Sequence, residues 1–582
     1  MKLKIISIMF LFVMTFYSQN KNQKTYCNPI DINYRYNWEQ INENISYRSG
    51  ADPVIVNHKG EYFLFVTISG GYWHSKDLLN WKYIEPTKWP FEDMCAPAAL
   101  SVHDTLFLFQ STFQQRPILY STEPEKGELN FYNRWLPQLP KDVGPWDPAI
   151  FYDEDTNRWF MYWGSSNVYP IYGCELDHSK KLTYKGKYKS LIKLHPEKHG
   201  WERFGPNHTS NIKPFIEGAW MTKFNGKYYL QYAAPGTEYN VYANGTYIGK
   251  DPLGPFEYAP NNPISYKPGG FLTGTGHGNT FQDNFGNYWN TGTPWIAINW
   301  NFERRIAMFP AFFDKDDLLY ANTRFGDFPH YLPTRKIQNK DELFTGWMLL
   351  SYKKPVEASS VLDTFKTSNL TDENPRSFWV AKENKKGEWL KIDLQNEYEI
   401  KAIQIHFVDY KSNLFDNDTS KVYTQYKFYV SKDGNDWINV VDLSNVKQDR
   451  PNGYFELEKP IVARYVKYEN IYMPTPSLAI SDIRVFGNGF GEIPLTPKNL
   501  KVFRQKDKRN ATITWSKENN VVGYNVLWGI AKDKLYQTYQ WFGDKEPKIE
   551  LRALTIGQDY YFAIESFNEN GVSKLSDVIH IK

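Results

Sequence analysis

One stretch decides how this chain folds: Asp147-Pro-Ala-Ile-Phe-Tyr-Asp-Glu-Asp-Thr-Asn-Arg-Trp-Phe-Met-Tyr-Trp163. It contains a leading acidic residue, an apolar run, a polar turn and an aromatic-rich run. Apolar and aromatic runs on both sides of a polar turn predict an antiparallel hairpin. The same pattern occurs five times, and the residues at its leading position are Asp52, Ala96, Asp147, Glu217 and His277.

The five copies predict five β-sheets arranged in a ring. Their leading residues are 44, 51, 70 and 60 positions apart, close to the roughly 40–50 residues of a four-stranded propeller blade with insertions in two blades. No helical period is sustained through this region. We therefore predict an all-β chain that begins with a five-bladed β-propeller over residues 27–352, in which the five leading side chains surround one central axis.

Four of the five leading side chains are ionisable, which predicts a catalytic site on the propeller axis. An Asp-Pro pair alone is often only a turn, but a ring of turns gives no reason to place three acids and His277 at equivalent positions. Carboxyl groups that share a partly desolvated cavity cannot all ionise, so one keeps its proton and can act as a general acid. Glu217 has the most apolar sequence neighbours and is the best candidate for that acid. Asp52 is then the base by elimination, and Asp147 tunes the pKa of the acid.

The motifs around these residues resemble those of glycoside hydrolase family 43, whose members are five-bladed propellers. The resemblance covers roughly residues 28–333 and rests, in chain order, on Ala-Asp52-Pro, Trp-Asp147-Pro, Glu217-Gly-Ala and Gly-His277-Gly-Asn. It implies that Asp52 is the general base, Asp147 the pKa modulator and Glu217 the general acid of a single displacement with inversion. It also implies that His277 helps to hold a calcium ion or its water in the central cavity. No organic cofactor is expected.

The second blade departs from the family pattern. Many members have Trp-Ala-Pro where this chain has Cys95-Ala96-Pro97, so a ring that could stack on a sugar is missing. The departure bears on substrate preference rather than on catalysis. Trp73, Trp146 and Trp295 could provide stacking platforms, but core packing explains each of them equally well.

Together these features predict an exported, inverting exo-glycoside hydrolase. It would release terminal α-L-arabinofuranosyl or β-D-xylosyl units from a polysaccharide or oligosaccharide. One alternative is a propeller hydrolase that acts on galactose-type or anhydro-galactose units of algal polysaccharide. Another is a catalytically inactive glycan-binding surface protein, although binding alone would not require three carboxylates.

Two smaller β domains are predicted after the propeller. Residues 353–488, here the middle domain, alternate apolar and polar residues and resemble the discoidin or coagulation-factor type C family, a jelly-roll sandwich whose bacterial members are often carbohydrate-binding modules. Residues 494–582, here the last domain, resemble a fibronectin type III sandwich, with Trp515 in the core and Tyr560 at the tyrosine corner. We expect the last domain to act as a spacer and the middle domain to hold the enzyme near its polymer.

The N-terminus and the overall charge bound the cellular setting. Lys2 and Lys4 precede an apolar run that is too short to span a bilayer, which predicts a signal peptide over residues 1–19 and a secreted or periplasmic protein without a membrane span. The net charge is +3 and no basic stripe is present, which argues against nucleic acid as a partner. We expect a monomer.

Overall fold

The computed structural model describes residues 24–37, 46–86, 95–111, 117–134, 139, 143–144, 146–414, 421–543 and 545–582. The predicted signal peptide at residues 1–19 lies outside the described residues. The described residues form β-strands and short 3₁₀ helices and contain no α-helix, so the predicted all-β class is confirmed. No helix in the described part of the chain has the length and hydropathy needed to span a bilayer.

Residues 54–321 form five antiparallel sheets of four strands, each in simple sequential order. Before them, β1 (Thr25–Tyr26) pairs with β24 (His330–Tyr331), and β2 (Arg35–Asn37) pairs with β3 (Tyr47–Ser49). The strands of the five sheets, in chain order, are β4 (Val54–His58), β5 (Glu61–Phe65), β6 (Tyr72–Ser75) and β7 (Lys82–Ile84); β8 (Cys95–Val102), β9 (Thr105–Ser111), β10 (Ile118–Ser121) and β11 (Asn130–Asn133); β12 (Ala149–Asp153), β13 (Arg158–Trp163), β14 (Ile171–Asp177) and β15 (Thr183–Ile192); β16 (Glu217–Phe224), β17 (Lys227–Ala234), β18 (Ala243–Gly249) and β19 (Phe256–Tyr258); β20 (Thr280–Gln282), β21 (Tyr288–Gly292), β22 (Ala307–Phe313) and β23 (Leu319–Ala321).

The hairpins form where the repeat pattern predicts them. In the fourth sheet, Asn225 and Gly226 join β16 to β17 with φ angles of 48° and 73°. Two successive residues with positive φ make a type I′ turn, whose twist matches that of the flanking strands. Asn and Gly are the residues that adopt this geometry at least cost, so the polar turn of the repeat sets the strand register.

The five sheets close into a ring, which is the arrangement of a five-bladed propeller. The first strands β4, β8, β12 and β16 lie side by side in order, and β20 lies beside β4. The Trp220 indole N–H donates to the Thr280 carbonyl oxygen (3.0 Å) and links the fourth blade to the fifth. The Asn279 side chain bonds both backbone groups of Ile55 (3.0 and 2.9 Å) and links the fifth blade to the first.

The middle domain is a strongly curved antiparallel sheet. Its strands are β26 (Val356–Ala358), β27 (Trp379–Val380), β28 (Trp389–Phe407), β29 (Gln425–Ser431), β30 (Ile438–Asp442), β31 (Tyr454–Tyr472) and β32 (Ala479–Asn488). One further strand, β25 (Met348–Leu349), lies in the segment predicted as propeller but pairs with β32 and joins this sheet. The long strands β28 and β31 shift register twice along their pairing, which bends them around a core that includes Trp379, Phe428 and Tyr468.

The last domain consists of two facing sheets. Its strands are β33 (Lys501–Arg504), β34 (Ala511–Thr514), β35 (Gly523–Gly529), β36 (Gln537–Phe542), β37 (Lys548–Leu551), β38 (Tyr560–Asn568), β39 (Gly571–Val572) and β40 (Ile579–Ile581). Trp515 is buried, and the Tyr560 hydroxyl accepts from the Thr555 N–H (3.0 Å). Both residues lie where the resemblance to fibronectin type III placed them, while that family assignment stays a prediction.

The last domain packs against the propeller, so its expected role as a spacer is wrong. Its Trp528 shares one apolar core with Trp201 and Tyr232 of the propeller. The Tyr536 ring stacks on Tyr320 with 3.7 Å between centroids. A spacer needs solvated surfaces on both sides, whereas this domain buries one of its faces.

Candidate active site

The leading residues of four blades adopt a backbone conformation that L-amino acids rarely take. The φ angles are 53° for Asp52, 34° for Ala96, 46° for Asp147 and 47° for His277. Positive φ at non-glycine residues costs free energy, and such residues concentrate at functional sites. Asp52 and Asp147 are 8% and 9% exposed, so the turn directs both carboxyls into the molecule.

Glu217 does not occupy the equivalent position in the fourth blade, contrary to the repeat alignment. Gly218 has the positive φ (62°) there, and Glu217 precedes it. A Cβ atom on Gly218 would lie 2.9 Å from His277 Cδ2, so the His277 ring already fills that space. The register of β16 against β17 shifts between Glu217 and Trp220. This bulge brings the Glu217 carboxyl to the cavity from one residue earlier.

Asp52 is held by donors and cations. Its backbone N–H donates to Thr293 Oγ1 (3.0 Å), and Thr67 Oγ1 donates to its Oδ2 (2.6 Å). Its Oδ1 lies 3.1 Å from His277 Nδ1 and 3.6 Å from an Arg304 nitrogen. Burial alone would raise the pKa of Asp52, but these neighbours outweigh burial and lower it below its ordinary value. The carboxyl is therefore ionised.

Asp147 has the opposite environment. Burial is the largest influence on its pKa, and the nearby charges of Glu217 and Asp52 add to it, so the pKa of Asp147 rises to about 7 although His277 acts in the other direction. One ligand atom each from Asp147, Glu217 and His277 lies within 4.8 Å of the others. The nearby Glu217 charge therefore disfavours ionisation of Asp147.

Glu217 is oriented by two hydroxyl groups. Tyr242 donates to Oε1 (2.6 Å) and Ser165 donates to Oε2 (2.9 Å). A fourth carboxyl, Glu238, lies close enough to interact with it, and burial followed by the charge of Glu217 raises the pKa of Glu238. No repeat motif contains Tyr242, Ser165 or Glu238, so the sequence offered no signal for them.

His277 lies close to both Asp52, whose pKa is lowered, and Asp147, whose pKa is raised. Its Nδ1 lies 3.1 Å from Asp52 Oδ1 and 3.8 Å from Asp147 Oδ2. Burial would lower the pKa of His277, but the surrounding carboxylates raise it above its ordinary value. A cationic imidazole at this point stabilises Asp52 as an anion.

At or just after the end of the second strand of three blades, a hydroxyl side chain accepts a hydrogen bond from the backbone N–H of the leading residue of the next blade around the ring. Thr293 accepts from the Asp52 N–H (3.0 Å), Thr67 accepts from the Ala96 N–H (2.8 Å) and Ser111 accepts from the Asp147 N–H (2.9 Å). Each hydroxyl therefore acts across a blade boundary. Thr67 also donates to Asp52, which sets the direction of its proton.

A calcium ion near His277 stays a prediction. The side chains that could hold it directly are Asp147, Glu217 and His277, which offer two carboxylates and one imidazole. Calcium takes about six to eight oxygen ligands, so this set does not fit a directly bound ion without several waters. The pKa of Asp147, one of these carboxyls, is raised. No step below uses a metal.

The candidate aromatic platforms separate into different roles. Trp73 is buried and its indole N–H donates to Asn33 Oδ1 (2.7 Å), so it belongs to the core. Trp146 is half-buried directly before Asp147. One face of Trp295 is covered by Arg376 of the middle domain, at 4.3 Å from the ring centroid.

Comparison with known proteins assigns two segments of the chain. Residues 42–293 match the family model described as "Glycosyl hydrolases family 43". Residues 355–477 match the model described as "F5/8 type C domain". The first segment contains the whole cluster of Asp52, Asp147, Glu217 and His277.

Individual relatives are distant. The chain is 25% identical over 268 residues to a "Putative beta-xylosidase" of Escherichia coli (strain K12), a match that covers 42% of this chain and 45% of that protein. It is 27% identical over 143 residues to "Beta-D-galactofuranosidase xynD" of Aspergillus niger, covering 25% of this chain and 35% of that protein. The matches thus span less than half the length of these curated relatives.

Among solved structures, a thermostable family-43 glycoside hydrolase has 21% sequence identity and a TM-score of 0.41, covering 54% of this chain and 98% of that one. The two family matches cover most of the propeller and of the middle domain that the described strands form, and the clustered acids lie within the first match. The chain contains a glycoside hydrolase family 43 domain followed by an F5/8 type C domain.

Proposed function

We propose that the protein is an exported, exo-acting, inverting glycoside hydrolase that releases terminal α-L-arabinofuranosyl or β-D-xylosyl units from polysaccharides or oligosaccharides. The observation that carries this proposal is the convergence of Asp52, Asp147 and Glu217 around His277. The cluster combines a carboxyl whose pKa is lowered, that of Asp52, with one whose pKa is raised, that of Asp147. Hydrolysis with inversion needs one group of each kind.

In the proposed reaction, Glu217 donates a proton to the glycosidic oxygen. Asp52 removes a proton from a water molecule, whose oxygen attacks the anomeric carbon from the opposite face. The bond to the leaving oxygen breaks as the new bond forms, so the configuration inverts. Tyr242 and Ser165 donate to Glu217, which stabilises the carboxylate that remains after proton transfer.

Asp147 is proposed to modulate the acid rather than to react. Burial and the nearby Glu217 charge raise the pKa of Asp147 to about 7, which supports a role in modulating the acid. Inversion further requires acid and base carboxyls about 6.5–9.5 Å apart, so that water fits between them. We propose Asp52 and Glu217 as that pair.

One other substrate class has support of its own. A curated relative is described as a beta-D-galactofuranosidase, and a galactofuranosyl unit has the same five-membered ring as an arabinofuranosyl unit. A galactose-type substrate is therefore the second candidate. An inactive glycan-binding protein is less consistent with the site, because sugar binding alone does not require a carboxyl that keeps its proton.

The test is an assay of the full chain on aryl arabinofuranoside, xyloside and galactofuranoside substrates, with product configuration followed by NMR. We expect turnover of one of these with inversion, and loss of at least about 10²-fold in Asp52→Asn and in Glu217→Gln. Asp155→Asn is the matched control, because Asp155 is an exposed carboxylate of the third blade. A retained configuration, or glycan binding without turnover on all three substrates, would overturn the proposal.

A further inference from the structure

The middle domain places a loop against the propeller beside the candidate active site. Arg376 in this loop lies over the Trp295 ring, with its guanidinium carbon 4.3 Å from the ring centroid. Trp295 lies two residues after Thr293, whose hydroxyl accepts from the Asp52 backbone N–H. The propeller and the middle domain are therefore in contact at this tryptophan.

Trp295 belongs to the wall of the acid cavity. Its backbone forms a bridge with Arg304, whose guanidinium lies 3.6 Å from Asp52 Oδ1. Its ring lies 6.3 Å from that of Tyr239, which follows the cavity residue Glu238. Arg376 thus contacts this wall through the Trp295 ring.

The loop is anchored so that Arg376 is fixed relative to the propeller. Glu373 and Arg484 form a buried pair with two contacts of 2.9 Å, and Arg484 also donates to the Asp327 carbonyl oxygen of the propeller (2.6 Å). Asp372 accepts from the Ser377 hydroxyl (2.7 Å) and from the Asn374 N–H (3.0 Å). Holding a loop with a buried ion pair makes its geometry specific.

Arg376 differs from the other arginines at this domain contact. Arg48 pairs with Asp409 and Asp449, Arg450 pairs with Asp31, and Arg484 pairs with Glu373. No carboxylate among the described residues forms an ion pair with Arg376. The Arg376 side chain is exposed. Its guanidinium stacks on Trp295 and is accessible to an acceptor that the described chain does not supply.

We propose that Arg376, stacked on Trp295, forms a subsite for an anionic oxygen group, a carboxylate or a sulfate ester, carried by the part of the glycan that lies beyond the cleaved bond. A guanidinium binds both groups through two parallel hydrogen bonds. In an exo-acting enzyme the terminal sugar reaches the acids, and the remaining glycan passes the outer wall. This inference rests on the proposed function for its direction along the glycan.

The test measures binding by calorimetry, with the full chain and three probes of equal length. The probes are xylotetraose, xylotetraose that carries a glucuronic acid branch, and sulfated xylotetraose. We expect at least one anionic probe to bind the wild-type chain about tenfold more tightly than the neutral probe, which corresponds to about 1.4 kcal/mol. The stronger of the two anionic probes identifies the group.

Arg376→Gln should abolish this preference and leave the neutral probe and the aryl glycoside kcat unchanged. Arg335→Gln is the control, because it removes an equal charge from an exposed propeller arginine. Equal affinity of all three probes for the wild-type chain would overturn the subsite, as would an equal loss for neutral and anionic probes in Arg376→Gln. Because binding is measured without turnover, failure of the hydrolase proposal would show separately in the aryl glycoside assay.

Discussion

Asp52 and Asp147 lead two blades with the same backbone geometry, yet the pKa values of their carboxyls shift in opposite directions. Their φ angles are 53° and 46°, and both are less than one tenth exposed. The pKa of Asp52 is lowered, whereas that of Asp147 rises to about 7. Burial is the largest influence on both, so burial does not decide the difference.

The neighbours decide it. Asp52 faces Arg304 at 3.6 Å and receives a 2.6 Å hydrogen bond from Thr67. Asp147 faces the Glu217 carboxyl, and its hydrogen bond from Ser111 is longer, at 3.4 Å. Repetition of one backbone unit thus gives one carboxyl with a lowered pKa and one with a raised pKa, because different groups stand opposite each aspartate.

The largest expected effect concerns stability and Asp147. An unfolded aspartate has a pKa of about 3.9, and the folded value is about 7, so between these values the folded state binds the extra proton. The free energy of unfolding should therefore fall by up to about 4 kcal/mol as the pH rises from about 4 to about 7. Asp147→Asn should remove this fall, as measured by urea unfolding at several pH values. The same fall in Asp147→Asn as in the wild-type chain would contradict the shift.

The next effect should come from Thr67. Thr67→Val removes the hydrogen bond that favours ionised Asp52, so the acid limb of kcat/KM should move to higher pH. Thr67→Ser should restore it. Ser111→Ala should leave the acid limb in place, because the hydrogen bonds of Ser111 are to Asp147. A uniform loss of activity in Thr67→Val with an unchanged pH profile would show a merely structural role.

Arg304→Met should shift the same limb. Removal of this cation should raise the pKa of Asp52, because the Arg304 charge lowers it in the wild-type chain. The acid limb should follow in the same direction. An acid limb that moves to lower pH would show that Arg304 does not act on Asp52 as described.

The fold was largely predictable, because each blade repeats a hairpin pattern with a clear turn. The motifs also located Asp52 and Asp147 at equivalent positions. They assigned Glu217 to the leading position of the fourth blade, but Gly218 has the positive φ there. The His277 ring fills the space that a side chain at position 218 would need. A periodic pattern cannot show which side chain occupies such a space.

Other site residues left no readable signal. Thr67, Ser111 and Thr293 are hydroxyl residues at strand ends, where such residues are common for many reasons. Arg376 comes from another domain, and nothing in a sequence pattern tells which loop of one domain meets which blade of another. The packing of the last domain was missed for the same reason.

The ion pairs of Arg48 bear on the order in which the propeller and the middle domain fold during synthesis of the chain. Arg48 lies shortly before Asp52, is fully buried, and pairs with Asp409 and Asp449 at 2.8 Å each. Domains generally fold from the N-terminus as the ribosome releases them. The contact between the propeller and the middle domain must therefore wait for carboxylates translated hundreds of residues later, and a polypeptide cut after residue 352 would leave Arg48 without either carboxylate partner.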